Sequence, residues 1–458
     1  KYWDSGRFEA EAHYLNKDDL EDKKRWMFDS FLDLDINQKI RVNATLARVS
    51  DSDYFKDINH DNTSLSALNS KVDVTYKDLE NQLSIGAFAE FEQTINAGNS
   101  YTRAPELSIS KGFTGLGSRQ MDLSLVSTKF KHQDVSKDTG IRTHAQANFN
   151  RTISTDAYSL TPKLNLSTTD YYLDGKADES RSIYSFGLDS KLFLEREVSI
   201  FGADIIQTLT PRLAYNFTPD KTNPSVNFDS ESKSDSYESL FSGNKFTGID
   251  QIGKANDLTF GLESDFIDEE TGETYLSLKS AQAFYGDVIS PNGSDRKYSD
   301  IALSSDLSLN DFTFKNSLQY DPETNKIDKR DSSTSYILNP RKFITLAHHY
   351  DRSNSDPKSI ELYGAYPITQ KIHVFAGINR SQNAASSVWT TSKETTGISY
   401  ESCCWAVRLV HFKKLISSDD YDYVTDFELV LKGLATTSPG LSKRLEEEIP
   451  NYLANLDD

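Results

Sequence analysis

Cysteine and methionine are almost missing from these 458 residues, with two of each. Two cysteines in so long a chain make no disulfide scaffold, and 8 histidines in no zinc-type spacing offer no metal site. Long apolar runs are missing too: nothing approaches the roughly 18 consecutive apolar residues of a membrane-spanning helix. That excludes helical spans but not a β-barrel wall, whose alternating exposure gives only a dispersed hydropathy signal. Basic charge is in deficit, with 50 Lys and Arg against 69 Asp and Glu, net −19 and a pI near 4.9. The deficit argues against a nucleic-acid partner, because such binding rests on cationic side chains meeting phosphates. A Gly-x-Ser-x-Gly elbow, a phosphate-cradling loop and a His-Glu-x-x-His helix are all lacking, and the carboxylates are too scattered to nominate an acid/base pair. The expectation is a protein that is not an enzyme and takes no cofactor. The chain opens Lys-Tyr-Trp-Asp-Ser-Gly, without a basic and apolar leader, so it reads as a mature product or a piece of one.

What the sequence has is alternation. Only 37% of it is hydrophobic and mean hydropathy is −0.58, yet 23 Tyr and 25 Phe are spread along it. Phe8, Ala10, Ala12 and Tyr14 alternate with Arg7, Glu9, Glu11 and His13; in a strand these sets point to opposite faces. The pattern returns at Ile40–Leu46, Val72–Tyr76, Met121–Leu125, Ala145–Phe149, Tyr184–Leu188, Leu209–Phe217, Leu258–Leu262, Ile301–Leu309, Phe312–Tyr320 and Ile372–Ile378. Period 2 dominates and period 3.6 hardly appears. Turn clusters such as Asn96–Ser100, Asp174–Ser180, Asp268–Gly272 and Asp351–Pro357 separate the runs. Pro219–Ser236 is too long and polar for a tight turn and reads as an extracellular or inward-folded loop. No composition break marks a domain boundary and no fixed repeat is present. A soluble β-sandwich also alternates, but rarely continues past about 250 residues as one domain. The pattern favours an all-β fold: one large antiparallel transmembrane β-barrel over residues 1–458.

Both cysteines fall in the stretch Gly397–Phe412, side by side in a strand-like pattern. Adjacent Cα atoms lie about 3.8 Å apart, below the roughly 4.4–6.8 Å usual across a disulfide. If Cys403 and Cys404 are oxidised, their partners lie elsewhere; the alternative is two buried thiols packed as small hydrophobes. Trp405, Val407, Leu409 and His411 share one face, and Cys404, Ala406, Arg408, Val410 and Phe412 the other. Both faces are largely apolar, so this strand is expected to be covered on both sides, with Arg408 as the luminal exception. Arg408 can bind a carboxylate across the barrel or a lipid phosphate, and the carboxylate is favoured. Pro211, inside a strand pattern, is expected at a bulge or strand end. His348 and His349, as adjacent strand residues, cannot serve one site.

Several stretches, in order along the chain, resemble the barrel of the LPS-assembly outer-membrane proteins of the LptD family. They are Arg25-Trp26 with Val49–Asp57; Gln207–Tyr215 with Pro219 and Asn223-Pro224; and Leu240-Phe241 with Phe246–Ile252 and Ala255–Thr259. Tyr400, Ser402, Cys403, Cys404, Ala406 and Arg408, followed by Phe427–Leu434, complete the set. The resemblance implies an integral protein of the Gram-negative outer membrane that inserts lipopolysaccharide into the outer leaflet through a lateral gate. It implies an LptE-type plug lipoprotein in the lumen, a periplasmic bridge of proteins delivering lipopolysaccharide through an N-terminal domain, and contact with membrane lipids.

In this family the adjacent cysteines form disulfides with cysteines near the N-terminus, which would place the partners of Cys403 and Cys404 outside this sequence. The gate's last strand falls around Thr425–Leu434, with Thr425, Phe427, Leu429 and Leu431 along it. The family barrel has about 26 strands; at roughly 19 residues per strand and turn this chain supplies about 24. The chain is therefore expected to be a barrel fragment lacking the periplasmic jelly-roll and the first strand or two. The runner-up is a porin or receptor-type barrel for small solutes, which needs a uniformly closed wall where lipid release needs a weak seam. A soluble all-β surface protein is the third reading, and it would extract without detergent.

Overall fold

The computed structural model describes residues 2–3, 5–57, 67–95, 100–115, 119–200, 202–286, 296–354, 357–383, 385–417, 420–433, 435–437 and 439–452. The expected turn Asn96–Ser100 lies mostly outside these, as do part of Asp351–Pro357 and Leu434 at the end of the expected gate strand.

The described chain forms one sheet of 26 strand segments. Each pairs antiparallel with its neighbour in sequence, from Tyr2–Trp3 to Ala435–Thr436. Two are continuations: Ile153–Ser154 prolongs Gly140–Arg151 past Thr152, and Leu194–Ile200 prolongs Glu179–Leu192 past Phe193. Counting each pair as one pass leaves 24 antiparallel strands, a large β-barrel wall, in keeping with the expected number.

Alternation fixes which side is which. In Trp405–Ser417, Ala406, Arg408, Val410 and Phe412 are buried while Trp405 and Leu409 are exposed. In Lys342–Asp351, Phe343, Thr345 and Ala347 are buried while Ile344 and Leu346 are half exposed. Large apolar side chains thus stand on the outer face, the pattern of a wall that meets lipid outside and a polar lumen inside.

The two ends of the wall differ. Turns at one end are short, among them 38–39, 310–311, 340–341, 402–404 and 432–434. The other end carries the long connections 50–66, 219–254 and 286–300. Pro211 remains inside the strand Ala203–Thr218 with no register shift, paired with Leu262. Its effect appears on the adjacent pass, which breaks at Phe193 where proline supplies no amide to the ladder. The register is the same on either side of Phe193, so the bulge or strand end expected at Pro211 does not form.

Besides the short helix Tyr54–Asp57, which packs on Met27 and Val49, two larger non-strand elements pack on the inner face among the described residues. The connection 219–254 folds inward, with a short helix Tyr237–Leu240 whose Ser236 and Ser239 cap each other's backbone amides. The second is the helix Pro439–Glu448, begun by a proline at its first position and followed by Pro450, which cannot continue it. Leu441, Leu445, Ile449 and Tyr452 make one stripe that buries itself against Phe343, Ala365, Phe375, Val410 and Phe412. Each fully buried aliphatic side chain there stabilises the docking by roughly 1.5–3 kcal/mol.

Candidate functional site

The expected site residues fall at the C-terminal end of the wall, and the structure separates them into three positions. Cys403 and Cys404 are not on the wall. They form the short turn between Trp389–Glu401 and Trp405–Ser417, and both are exposed. This corrects their expected place inside a strand and the alternative of buried, packed thiols. Their Sγ atoms lie 2.8 Å apart, beyond the about 2.05 Å of a disulfide, and both are free thiols. The hydrogen bond they share pushes the Cys403 thiol below its ordinary value and Cys404 above it.

Arg408 faces inward and is fully buried. It pairs with Glu428 directly opposite on the adjacent strand Asp420–Leu431, donating from Nε at 2.7 Å, and from the second guanidinium nitrogen to Ser442 Oγ of the helix at 2.8 Å. Glu428 also accepts from Thr436 Oγ1 at 2.6 Å. The favoured carboxylate is there, on the next strand rather than across the barrel. A lipid phosphate has no access to this guanidinium. The expectation of a strand covered on both sides holds only inside, where the helix lies; Leu409 on the outer face is 48% exposed.

The helix is tied down further by polar contacts. Tyr452 Oη meets His373 Nε2 at 2.6 Å, Lys393 Nζ approaches Glu448 Oε1 at 3.2 Å, and the Arg444 guanidinium lies 3.6 Å over the Phe412 ring. Burial pushes the Tyr452 hydroxyl above its ordinary value, so it stays protonated.

Thr425, Phe427, Leu429 and Leu431 lie on the outer face of the last long strand, opposite Asp426, Glu428 and Val430. Phe427 is 61% exposed. One edge of this strand is paired along its length with Trp405–Ser417. Among the described residues, strand pairing on the other edge is confined to Val430 and Leu431, which meet Thr436 and Ala435.

A second centre was not legible as a site in the sequence. Asp250, fully buried, accepts from Arg142 at 2.8 Å, Tyr171 Oη at 2.9 Å and the backbone amides of Phe228 and Asp229 at 2.7 and 3.2 Å. Arg142 also donates to Asp229 at 2.7 Å. Burial pushes the Asp229 carboxyl up, but the Arg142 guanidinium outweighs it and holds the group below the usual carboxylate range. Arg181 donates to the carbonyls of Ile249 and Asp250, both at 2.7 Å, and to Asn223 at 2.9 Å. Gly248 has a φ of +65°, and a Cβ there would collide with Asp229. Phe130 and Phe228 stack 4.4 Å apart beneath this network.

The motif stretches scattered along the sequence meet here. Asn223 and Gly248–Gln251 lie together, and Arg212 pairs with Asp189 through two contacts at 3.0 and 2.7 Å while lying 3.8 Å over Phe241. Arg25, fully buried, likewise gathers Asp18, Asp51 and Asp57, beside the buried Tyr54 and Phe55. The signal for Arg142 and Arg181 was an arginine on the inner face, each the third residue of its strand, where a buried cation demands an anion. His348 and His349 share no site; His349 meets Asp331 at 2.8 Å.

The sequence matches the family model described as LPS transport system D over residues 23–379. LPS-assembly protein LptD of Thiobacillus denitrificans is 26% identical over 444 residues, covering 91% of this chain and 59% of that protein. The Shewanella denitrificans protein of the same name is 27% identical over 468 residues, with the same coverages, and that of Neisseria gonorrhoeae is 26% identical, covering 92% and 56%. The chain spans under two thirds of the length of these relatives. Among solved structures, the siderophore receptor PirA from Pseudomonas aeruginosa aligns with a TM-score of 0.47 at 9% identity, covering 93% of this chain and 80% of that one. The copper transporter OprC aligns with a TM-score of 0.43 at 10% identity, covering 90% and 75%. Likenesses this loose carry no functional argument. The family match, extending over most of the wall and the inward loop, shows that the chain belongs to the LptD family and is an integral outer-membrane β-barrel.

Proposed function

We propose that the chain is the membrane-spanning part of a lipopolysaccharide translocon that releases its amphiphile sideways into the outer leaflet along Asp420–Leu431. The carrying observation is the difference between that strand's two edges: continuous pairing on one, and pairing only at Val430 and Leu431 among the described residues on the other. An edge of this kind can part at modest cost, because unpaired strand groups carry no ladder to break. The outer-face residues Thr425, Phe427, Leu429 and Leu431 would meet the acyl tails, while the sugars cross the polar lumen. The step is translocation without covalent chemistry.

Short turns of bacterial outer-membrane barrels face the periplasm, so the exposed Cys403–Cys404 turn is on the side where a periplasmic domain would sit. Both thiols are read as disulfide-bonded to cysteines outside this sequence. Such bonds would fix the delivery domain at the rim nearest the seam. The partners implied are lipopolysaccharide, an LptE-type plug lipoprotein, periplasmic bridge proteins and membrane lipids.

The test is photocrosslinking from Phe427 and Thr425 in the full-length, partner-bound protein supplied with labelled lipopolysaccharide, with Phe260 on the outer face of an interior strand as the comparison. Capture at Phe427 and Thr425 above Phe260 is expected. Equal capture at all three would favour a closed channel for small solutes.

A further inference from the structure

On the outer face, towards the short-turn end of the wall, a groove of about 550 Å³ lies across the passes Thr102–Gly115, Arg119–Lys131, Gly140–Arg151, Tyr158–Leu173 and Glu179–Leu192. Register builds it. Phe113 stands opposite Met121, Met121 opposite Phe149, Phe149 opposite Leu164, and Leu164 opposite Phe186, so one apolar row crosses five strands. Phe113, Leu164 and Phe186 are exposed. At about 4.8 Å between strands the row is roughly 19 Å long. It also climbs: Phe113, Met121 and Phe149 lie close to the short-turn ends of their strands, whereas Leu164 and Phe186 lie deeper in the wall.

The outer-face positions one step nearer the rim are Arg119 and Arg151. Arg119 begins its strand, Arg151 ends its own, and the two stand directly opposite each other. Both are exposed and both line the groove. Like charges set opposite across two strands repel, and among the described residues neither guanidinium has an ion pair or a hydrogen bond. The register neighbour of Arg119 on its other side is Gly115, which carries no charge. Arg25, Arg142, Arg212 and Arg408, by contrast, each meet a carboxylate of this chain. In a chain of net charge −19, two facing arginines without a carboxylate call for an anion from outside it.

We propose that Arg119 and Arg151 bind the phosphate of an anionic glycerophospholipid of the periplasmic leaflet, with an acyl chain laid along the row from Phe113 to Phe186. Guanidinium forks match phosphate oxygens bidentately, and Cβ atoms directly opposite across two strands are about 5 Å apart, so both forks reach one phosphate. The depth agrees. Short turns of bacterial barrels face the periplasm, and a charge on the lipid face costs little near the interface but much at the midplane. The arginines therefore sit at headgroup level and the climbing apolar row on the hydrocarbon side. Lipopolysaccharide is released into the opposite leaflet on the proposed function, which leaves a phospholipid as the anionic lipid at this end. The inference rests on the orientation read from the short turns and not on lateral release.

The test uses full-length, partner-bound protein in phosphatidylethanolamine vesicles carrying a small fraction of photoreactive phosphatidylglycerol, with photoreactive phosphatidylethanolamine and photoreactive lipid A as comparisons. Peptides from 113–186 should capture phosphatidylglycerol in excess of both. Arg119→Gln and Arg151→Gln should each lower that capture about fivefold, and Arg119→Lys, which keeps the charge but loses the fork, should fall between. Heat-modifiable migration reports that each variant is folded; if the glutamine variants are not, Arg119→Lys carries the test. Equal capture of the three probes, capture spread evenly around the wall, no capture by the wild type, or unchanged capture in the folded variants would overturn the proposal. Crosslinking at Phe427 keeps the two claims apart. Lipopolysaccharide capture there with no phosphatidylglycerol preference at 113–186 defeats the phospholipid site and leaves lateral release standing, whereas the reverse defeats lateral release alone.

Discussion

The inward loop and the C-terminal helix solve the same problem with different strength. Each is a non-strand element laid on the inner wall beside a buried arginine–carboxylate pair: the loop supplies the carboxylate Asp250 to its pair, and the helix adds Ser442 to a pair of the wall. The loop's centre is redundant: Asp250 accepts four hydrogen bonds, and two arginines on separate strands, Arg142 and Arg181, hold it from the wall. The loop is also tethered at both ends by strands. The helix reaches one fully buried ion pair of the wall, Arg408 with Glu428, through Ser442 Oγ and otherwise rests on an apolar stripe, and that pair includes the very strand whose far edge is sparsely paired among the described residues. On the proposed lateral release, the difference separates a part of the barrel that stays from a part that moves: the loop would be a fixed lining, and the helix would brace the edge that parts.

The comparison can be broken most forcefully at Asp250. Asp250→Ala leaves Arg142 with a single carboxylate in a buried site and should cost about 3–5 kcal/mol, read as rapid proteolysis within 219–254 and an earlier heat-modifiable transition. A loop that stays protected would contradict its assignment as the fixed element. Glu428→Ala removes the carboxylate that stands opposite Arg408 and carries a similar nominal penalty of about 3–5 kcal/mol. The helix can rearrange to relieve it, so the global loss should be smaller. The expected readout is new protease access to 439–452 with the loop unchanged; simultaneous release of both elements would show that they are one unit.

Acid should sharpen the contrast more gently. Asp229 has its carboxyl held below the ordinary value of about 4. Its share of loop stability is therefore fully present above that pH and is lost only as pH falls through the lowered value. Limited proteolysis of the loop across pH 5 to 2.5 should show protection intact at the upper end and failing towards the lower. Protection lost by pH 5 would be at odds with the Arg142 pairing.

The wall was legible because period 2 needs no long-range information: Phe8 to Tyr14 or Ile301 to Leu309 declare their faces locally. The Cys403–Cys404 turn was not, because neither residue is a turn former and the apolar spacing from Tyr400 to Phe412 runs through it without a break. The helix Pro439–Glu448 was overlooked although Leu441, Leu445, Ile449 and Tyr452 carry its stripe, since one three-turn element is easily lost among so many strands. Arg142 and Asp250, 108 residues apart, meet only because the loop folds inward, which composition does not state. Arg408 was recognised as the luminal exception, but its partner was sought across the barrel when antiparallel register places Glu428 beside it.

The most direct test of the fixed loop and movable edge is backbone hydrogen exchange of the full-length, partner-bound protein in nanodiscs, resolved over 203–218 and 420–431. Amides of Asp420–Phe427 should exchange faster than those of Ala203–Thr218, which is paired on both sides. Equal protection of the two strands would contradict the account.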